Sequence, residues 1–152
     1  MNRYKIMLAD DEGIVIDSLK FIIEKEFGDS CTIEYAKTGR SVIELAETYR
    51  PDIAIMDIQM PGINGIEAMR EIRENNHSVI FIVMSAYDKF DYAKEAIKLG
   101  VLEYITKPME KTRIVAALKR AMEQINKERT KRSNDLMIRE KLETVMPIIE
   151  SG

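Results

Sequence analysis

The chain has one cysteine, Cys31, among its 152 residues. No internal disulfide is possible, and no metal-ligating neighbours surround it, so Cys31 reads as a small buried hydrophobe. Long apolar runs are missing too. The longest uninterrupted one, Val79 to Met84, falls far short of the ~20 residues that span a bilayer. The amino terminus, Met1-Asn2-Arg3-Tyr4-Lys5, leads into a short apolar stretch that acids end at Asp10, without the apolar core of a secretory signal. These absences point to the cytoplasm and to no membrane association. A large excess of one charge is also lacking, since the net charge is −3. Residues 1–108 carry 13 Lys/Arg against 19 Asp/Glu, and residues 109–152 carry 10 against 7. The first part is therefore a poor partner for nucleic acid, whose binding rests on neutralising phosphates. The mildly basic remainder reads as a solvated helix face. With 45% hydrophobic and 32% charged residues, the composition is that of a globular protein rather than a disordered one.

Four β-type runs are present, Tyr4–Ala9, Thr32–Ala36, Ile53–Met56 and Val79–Met84, with a weaker fifth at Leu102–Ile105. Helical spacing fills the intervals. Ile14, Ile16, Leu19, Phe21, Ile22 and Ile23 form a broad stripe ending near Gly28. Val42, Ile43, Leu45 and Ala46 precede Arg50-Pro51, and Ile66, Met69 and Ile72 follow at helical intervals. Phe90, Ala93 and Ile97 mark a fourth helix, with Asp88 as its cap and Gly100 as its stop. Ile114, Leu118, Met122 and Ile125 mark a fifth. Alternating strands and helices imply parallel pairing through right-handed crossovers. The uniformly apolar third and fourth runs imply central strands covered on both faces. The expected fold is α/β, a flavodoxin-like doubly wound five-stranded sheet in the order 2-1-3-4-5, with the first and third strands together at the switch point.

Beyond residue 125 the pattern changes. Asn126 to Asp135 holds no large apolar residue. Apolar spacing resumes at Ile138, Leu142, Val145 and Ile149, as in a coiled-coil seam. An earlier seam at Val115, Leu118, Met122 and Ile125 runs in a different phase, so a register break separates the two. Pro147 is expected to kink or end the second helix near Met146. The division expected is a domain over residues 3–125 and a helical, coiled-coil-like extension over 126–152, leading towards an output domain that this chain lacks.

Ligands of open α/β sheets sit beyond the carboxyl ends of the strands. Asp10 and Asp11 follow the first strand, Asp57 the third, Ser85 the fourth and Thr106-Lys107 the fifth. The second strand ends in Ala36-Lys37 at the sheet margin and contributes nothing comparable. An Asp after a strand is commonly a cap or turn former, and a lone Ser or Lys there means nothing. Asp10, Asp11, Asp57, Ser85 and Lys107 together, at four of five strand ends, make a stronger pattern. Three carboxylates brought together repel one another unless a cation neutralises them. Oxygen ligands without His or Cys indicate Mg²⁺. Aspartate can form an aspartyl-phosphate, and phosphoryl transfer needs positioning and charge neutralisation, which Lys107 and Ser85 can supply.

Over residues 3–125 the chain resembles a response-regulator receiver domain of bacterial two-component systems. The resemblance lies in Ile6-Met7-Leu8-Ala9-Asp10-Asp11-Glu12, in the run Pro51 to Gly62 with Met56-Asp57-Ile58-Gln59-Met60-Pro61 at its centre, in Met84-Ser85-Ala86 and in Tyr104-Ile105-Thr106-Lys107-Pro108. It implies that Asp57 accepts a phosphoryl group from a sensor histidine kinase, making the chain a phosphoacceptor switch rather than an enzyme. It implies that Asp10, Asp11, Asp57 and the backbone carbonyl of Gln59 bind Mg²⁺, and that Ser85 and Lys107 contact the phosphoryl group. Ser85 stands where many relatives have threonine, and Asn64 where aspartate is frequent. Tyr104 matches the switch aromatic, which with Ser85 alters the surface of the fourth helix, fifth strand and fifth helix. Lys107-Pro108 matches the family's cis peptide. The segment from Tyr87 to Val101 resembles receivers fused to AraC-type DNA-binding domains, so that DNA would be reached only through the absent output domain. His77, in Asn75-Asn76-His77-Ser78, reads as a surface loop residue. A homodimer through the C-terminal helix, the face of the fourth helix, fifth strand and fifth helix, or both is expected. Two rival readings are a phosphate-independent dimerisation module and an Asp-nucleophile phosphohydrolase. The latter lacks an Asp-x-Asp pair at Asp57 and an inserted cap domain.

Overall fold

The computed structural model describes residues 3–86 and 90–151. Along the chain run β1 Tyr4–Ala9, α1 Gly13–Phe27, β2 Cys31–Ala36, α2 Gly39–Tyr49, β3 Ile53–Asp57, α3 Gly65–Asn75, β4 Ile80–Ser85, α4 Phe90–Lys98, β5 Glu103–Thr106 and α5 Lys111–Ser151. The strands form one parallel sheet in the order β2-β1-β3-β4-β5. The flavodoxin-like architecture expected from the alternation is the one observed.

Strands β3 and β4 are buried at every residue, as uniformly apolar strands between two helical layers must be. Successive side chains point to opposite faces. Met7, Ala54, Met56, Phe81 and Val83 join Val42, Ala46, Ile66, Met69, Ile72 and Ala96 in one core with α2, α3 and α4. The alternate residues Ile6, Leu8, Ile53, Ile55 and Ile82 are equally buried, as are Ile16, Leu19 and Ile23 of α1 and Ile114 and Leu118 of α5. Helix starts follow local chemistry. Thr38 and Ser41 form a reciprocal capping box at α2, and Asn64 Oδ1 accepts from the Glu67 amide at α3.

Several details depart from the sequence expectation. Ile14 and Phe21 belong to the apolar stripe of α1, yet both are exposed. The stripe is wider than the face that the sheet can cover. In α4, Ile97 is 73% exposed while Ala96 is fully buried. Tyr92 and Ala96, with Leu99 just past the helix end, supply the packed face, so the helix is turned from the expected Ala93–Ile97 line. The cap expected at Asp88 lies outside the described residues. Strands β3, β4 and β5 each end one residue beyond their apolar runs, because backbone pairing continues through the polar positions Asp57, Ser85 and Thr106, and β2 begins one residue early at Cys31.

Two compact units are present, one ending at Ala121 and the next beginning at Met122. In the second unit α5 continues without a second start and includes Pro147, reaching Ser151. The expected stop near Met146 does not occur. Proline's fixed φ suits a helix, and the bond it forfeits would go to the carbonyl of Glu143, an exposed residue where water can replace it. Leu136, Met137, Ile138 and Leu142 are exposed along this unit. Among the described residues, no helix is long and apolar enough to cross a membrane.

Candidate functional site

Strand register builds the site. Ala9 pairs with Met56, so Asp10 and Asp57 emerge side by side from the switch-point strands. Asp57 pairs with Met84 and Ser85 with Thr106, while the Lys107 amide donates to the Ser85 carbonyl at 2.8 Å. Asp10, Asp57, Ser85 and Lys107 therefore line one sheet edge in spatial sequence.

The side chains meet through Lys107. Its Nζ donates to Asp10 Oδ2 at 3.0 Å and to Asp57 Oδ2 at 3.2 Å. Asp57 is 5% exposed and Asp10 2%, so one ammonium serves two buried carboxylates. Burial pushes the Asp57 carboxyl above its ordinary range, and Asp10 adds to that. Lys107 and the Gln59 amide, which donates to Asp57 Oδ1 at 3.3 Å, offset only part of it. For Lys107, burial alone would lower the pKa, but the hydrogen bonds and charges of Asp10 and Asp57 outweigh it and raise the pKa. A simple ion pair would instead lower its acid and raise its base. Here the acid is raised because burial outweighs the help of Lys107, and the neighbouring Asp10 adds to the rise.

Asp11 is exposed beside this pair. Its carboxylate converges with those of Asp10 and Glu12, all within 4.8 Å of one another. The Glu12 amide donates to Asp10 Oδ1 at 2.9 Å. This donor set is all oxygen, which fits a hard divalent cation such as Mg²⁺. Glu12 was not singled out from the sequence, although it directly continues Asp10-Asp11. Asp57 is not a member of that trio; like Asp10, it is bound through its Oδ2 by Lys107.

Ser85 is fully buried, and Tyr104 is half-buried against the core of α2, α3 and α4. The Lys107–Pro108 peptide is cis. His77 is exposed, and its carbonyl accepts from Arg73. Gly65 sets the distance between α3 and the site. A Cβ there would sit 2.1 Å from the Asp57 carbonyl oxygen, and the Gly65 amide donates to the Ile58 carbonyl at 2.7 Å. Only glycine permits so close an approach.

Lys37, at the sheet margin, reaches further than its position suggests. Its Nζ lies 3.5 Å from where a Cβ on Gly13 would be, over the start of α1. Arg73 is another group that periodicity does not reveal. It donates to the carbonyls of His77, Val79 and Leu99 and stacks 4.6 Å from the Phe81 ring centroid.

Residues 6–119 match the family model described as "Response regulator receiver domain". The chain is 38% identical over 125 residues to the uncharacterized transcriptional regulatory protein YesN of Bacillus subtilis, covering 82% of this chain and 34% of that protein. It is 31% identical over 133 residues to the transcriptional regulatory protein HptR of Staphylococcus aureus, covering 88% and 52%. The chain thus spans between a third and about half the length of the curated relatives it matches. Among solved structures, the REC domain of AraT, a response regulator from Geobacillus stearothermophilus, superposes with a TM-score of 0.75 at 32% identity, covering 83% of this chain and 98% of that one. With the matched segment taking up most of its length and carrying Asp10, Asp57, Ser85 and Lys107, the chain belongs to the response regulator receiver domain family.

Proposed function

We propose that the chain is a stoichiometric phosphoacceptor switch, with Asp57 receiving a phosphoryl group from a sensor histidine kinase. The observation that carries this is the buried Asp57 carboxylate, held 3.2 Å from a Lys107 ammonium that also binds Asp10. One Asp57 oxygen forms the new O–P bond as the bond from phosphorus to the donor's imidazole nitrogen breaks, and that nitrogen regains a proton. Lys107 is placed to follow the incoming charge, releasing a carboxylate to hold a phosphoryl oxygen. The Ser85 hydroxyl donates to another. Asp10, Asp11 and Asp57, with the Gln59 carbonyl, would hold Mg²⁺, which would supply positive charge to offset the carboxylates and the incoming phosphoryl group.

Movement of Ser85 towards the phosphoryl group leaves room for Tyr104 to turn inward, altering the α4–β5–α5 surface. Ion pairs from Glu103 of β5 to Arg113, at 3.2 Å, and to Arg120, both of α5, link β5 to α5 within that surface. The output is DNA binding through an AraC-type domain beyond this chain, in the cytoplasm. The relation to transcriptional regulatory proteins of greater length supports this reading. The exposed Leu136, Met137, Ile138 and Leu142 support homodimerisation through the helical extension over 126–152. Cutting after Gln124 should then leave a folded, phosphorylatable monomer, and equally tight dimerisation of that form would rule the helix out.

The main test is incubation with Mg²⁺ and a small phosphodonor, read by intact mass beside an Asp57→Ala control. A single added phosphoryl group that persists and requires Asp57 is expected. Sustained turnover with phosphate release would favour a phosphohydrolase, and absence of labelling a phosphate-independent dimerisation module.

A further inference from the structure

We propose that Lys37 is a second cation of the phosphoacceptor edge, which draws the anionic phosphodonor towards Asp57 by charge; this rests on Asp57 being the acceptor.

Register carries the first part of the argument. Ala9 pairs with Ala36 on one side and with Met56 on the other, and the Asp10 amide donates to the Ala36 carbonyl. Lys37 and Asp57 therefore flank Asp10 from its two neighbouring strands. At a strand spacing of about 4.8 Å, their backbones lie about 10 Å apart. The side chain does not point away from this edge. Its Nζ lies 3.5 Å from where a Cβ on Gly13 would sit, beside the loop that presents Asp10, Asp11 and Glu12. Glycine at position 13 leaves that space open.

Commitment of charge carries the second part. Lys107 is engaged by Asp10 and Asp57. None of the ion pairs among the described residues includes Lys37, and Lys37 is exposed. A phosphoryl donor approaching Asp57 meets the carboxylates of Asp10, Asp11, Glu12 and Asp57, with one ammonium already bound among them. An uncommitted ammonium on the open side offsets that repulsion.

The backbone around Lys37 is also fixed. Ala36 is paired in the sheet, Thr38 is locked in its box with Ser41, and Gly39 packs so closely that a Cβ would lie 2.0 Å from the Ile63 carbonyl oxygen. The charge is thus delivered from a rigid base, although its tip is free. A solvated surface lysine with no bearing on the site would show no dependence on donor charge.

The test measures the second-order rate of Asp57 phosphorylation in the full chain with Mg²⁺, using a dianionic acyl phosphate and the less charged phosphoramidate. At about 10 Å in water and low salt, one unit of charge acting on a dianion corresponds to about fourfold in rate. Lys37→Gln should slow the acyl phosphate about fourfold, Lys37→Glu about fifteenfold, and Lys37→Arg hardly at all. A monoanionic donor should lose only about twofold in Lys37→Gln. Raising salt from about 0.01 M to about 1 M shortens the screening length to about 3 Å and should bring all variants together. Equal rates at low salt, or a loss that persists unchanged at high salt, would overturn the role of Lys37. If the unsubstituted chain takes up no phosphoryl group, or takes it up equally as Asp57→Ala, the reading of Asp57 itself fails instead.

Discussion

Replacing Lys107 by methionine keeps most of the stem and removes the one charge that joins Asp10 to Asp57. Breaking a buried pair by deleting one partner typically costs about 3–5 kcal/mol, because a buried charge is left uncompensated. Two carboxylates are stranded here, but Lys107 keeps 15% side-chain exposure, and a stranded carboxylate can escape by binding a proton. From an ordinary aspartate that escape costs about 4 kcal/mol at about pH 7 and about 1.5 kcal/mol at about pH 5, taking about 1.4 kcal/mol per pH unit. The expected loss is therefore about 2–3 kcal/mol near neutrality, roughly half that or less at about pH 5. The sign follows from Asp57, whose carboxyl is already raised by burial. A raised acid costs stability above its unfolded pKa, and the cost disappears below it. Without Lys107 the carboxyl rises further, so the variant regains stability on acidification. Lys107 itself is raised, so its contribution is present below about pH 10.4 and lost as pH rises through its folded pKa. Urea denaturation at the two lower pH values and above about pH 10.4, with a chelator present, measures all three arms. An equal loss at about pH 5 and about pH 7, or no loss at either, would refute this account of the pair.

Gly65→Ala should destabilise the fold by about 2 kcal/mol or more, since its Cβ would fall 2.1 Å from the Asp57 carbonyl oxygen; thermal melting together with Asp57 labelling checks it, both being expected to fall. The Cys31 thiol is pushed up to about 11 by burial, so in the native chain at mildly alkaline pH it should react with a thiol reagent roughly 100-fold more slowly than in urea. Matching rates would contradict that. Arg73→Met removes donors to the carbonyls of His77, Val79 and Leu99, and should cost about 1–3 kcal/mol in a melt. Arg73→Lys should recover only part of it, because an ammonium cannot reproduce the planar fork.

The sheet order and central strands were legible because β3 and β4 are apolar at every position before their terminal polar residue. The edge followed from topology, since Asp10, Asp57, Ser85 and Lys107 need only be carried to the ends of their strands. What stayed hidden has physical causes. Apolar runs end at Met56 and Met84, but the ladder ignores side-chain polarity and continues through Asp57 and Ser85. Periodicity marks which residues can be buried on α1 and α4, not which the sheet has room for, hence the exposed Ile14, Phe21 and Ile97. Arg73 binds backbone carbonyls, which no side-chain pattern records. Lys37 looked inert because its position at the margin says nothing about where a flexible stem lays its charge.

The ion pair of Lys107 spans 97 residues of chain to Asp10 and 50 to Asp57. On a ribosome the carboxylates emerge first and their ammonium last, after all five strands of the sheet have been synthesised. Such long-range closure makes folding slower than in helical bundles. It also means that an incomplete chain holds its acids without their counter-charge. With Asp57 as the proposed acceptor, competence to take a phosphoryl group would be tied to the docking of the final strand, and a usable site would certify that the sheet is whole.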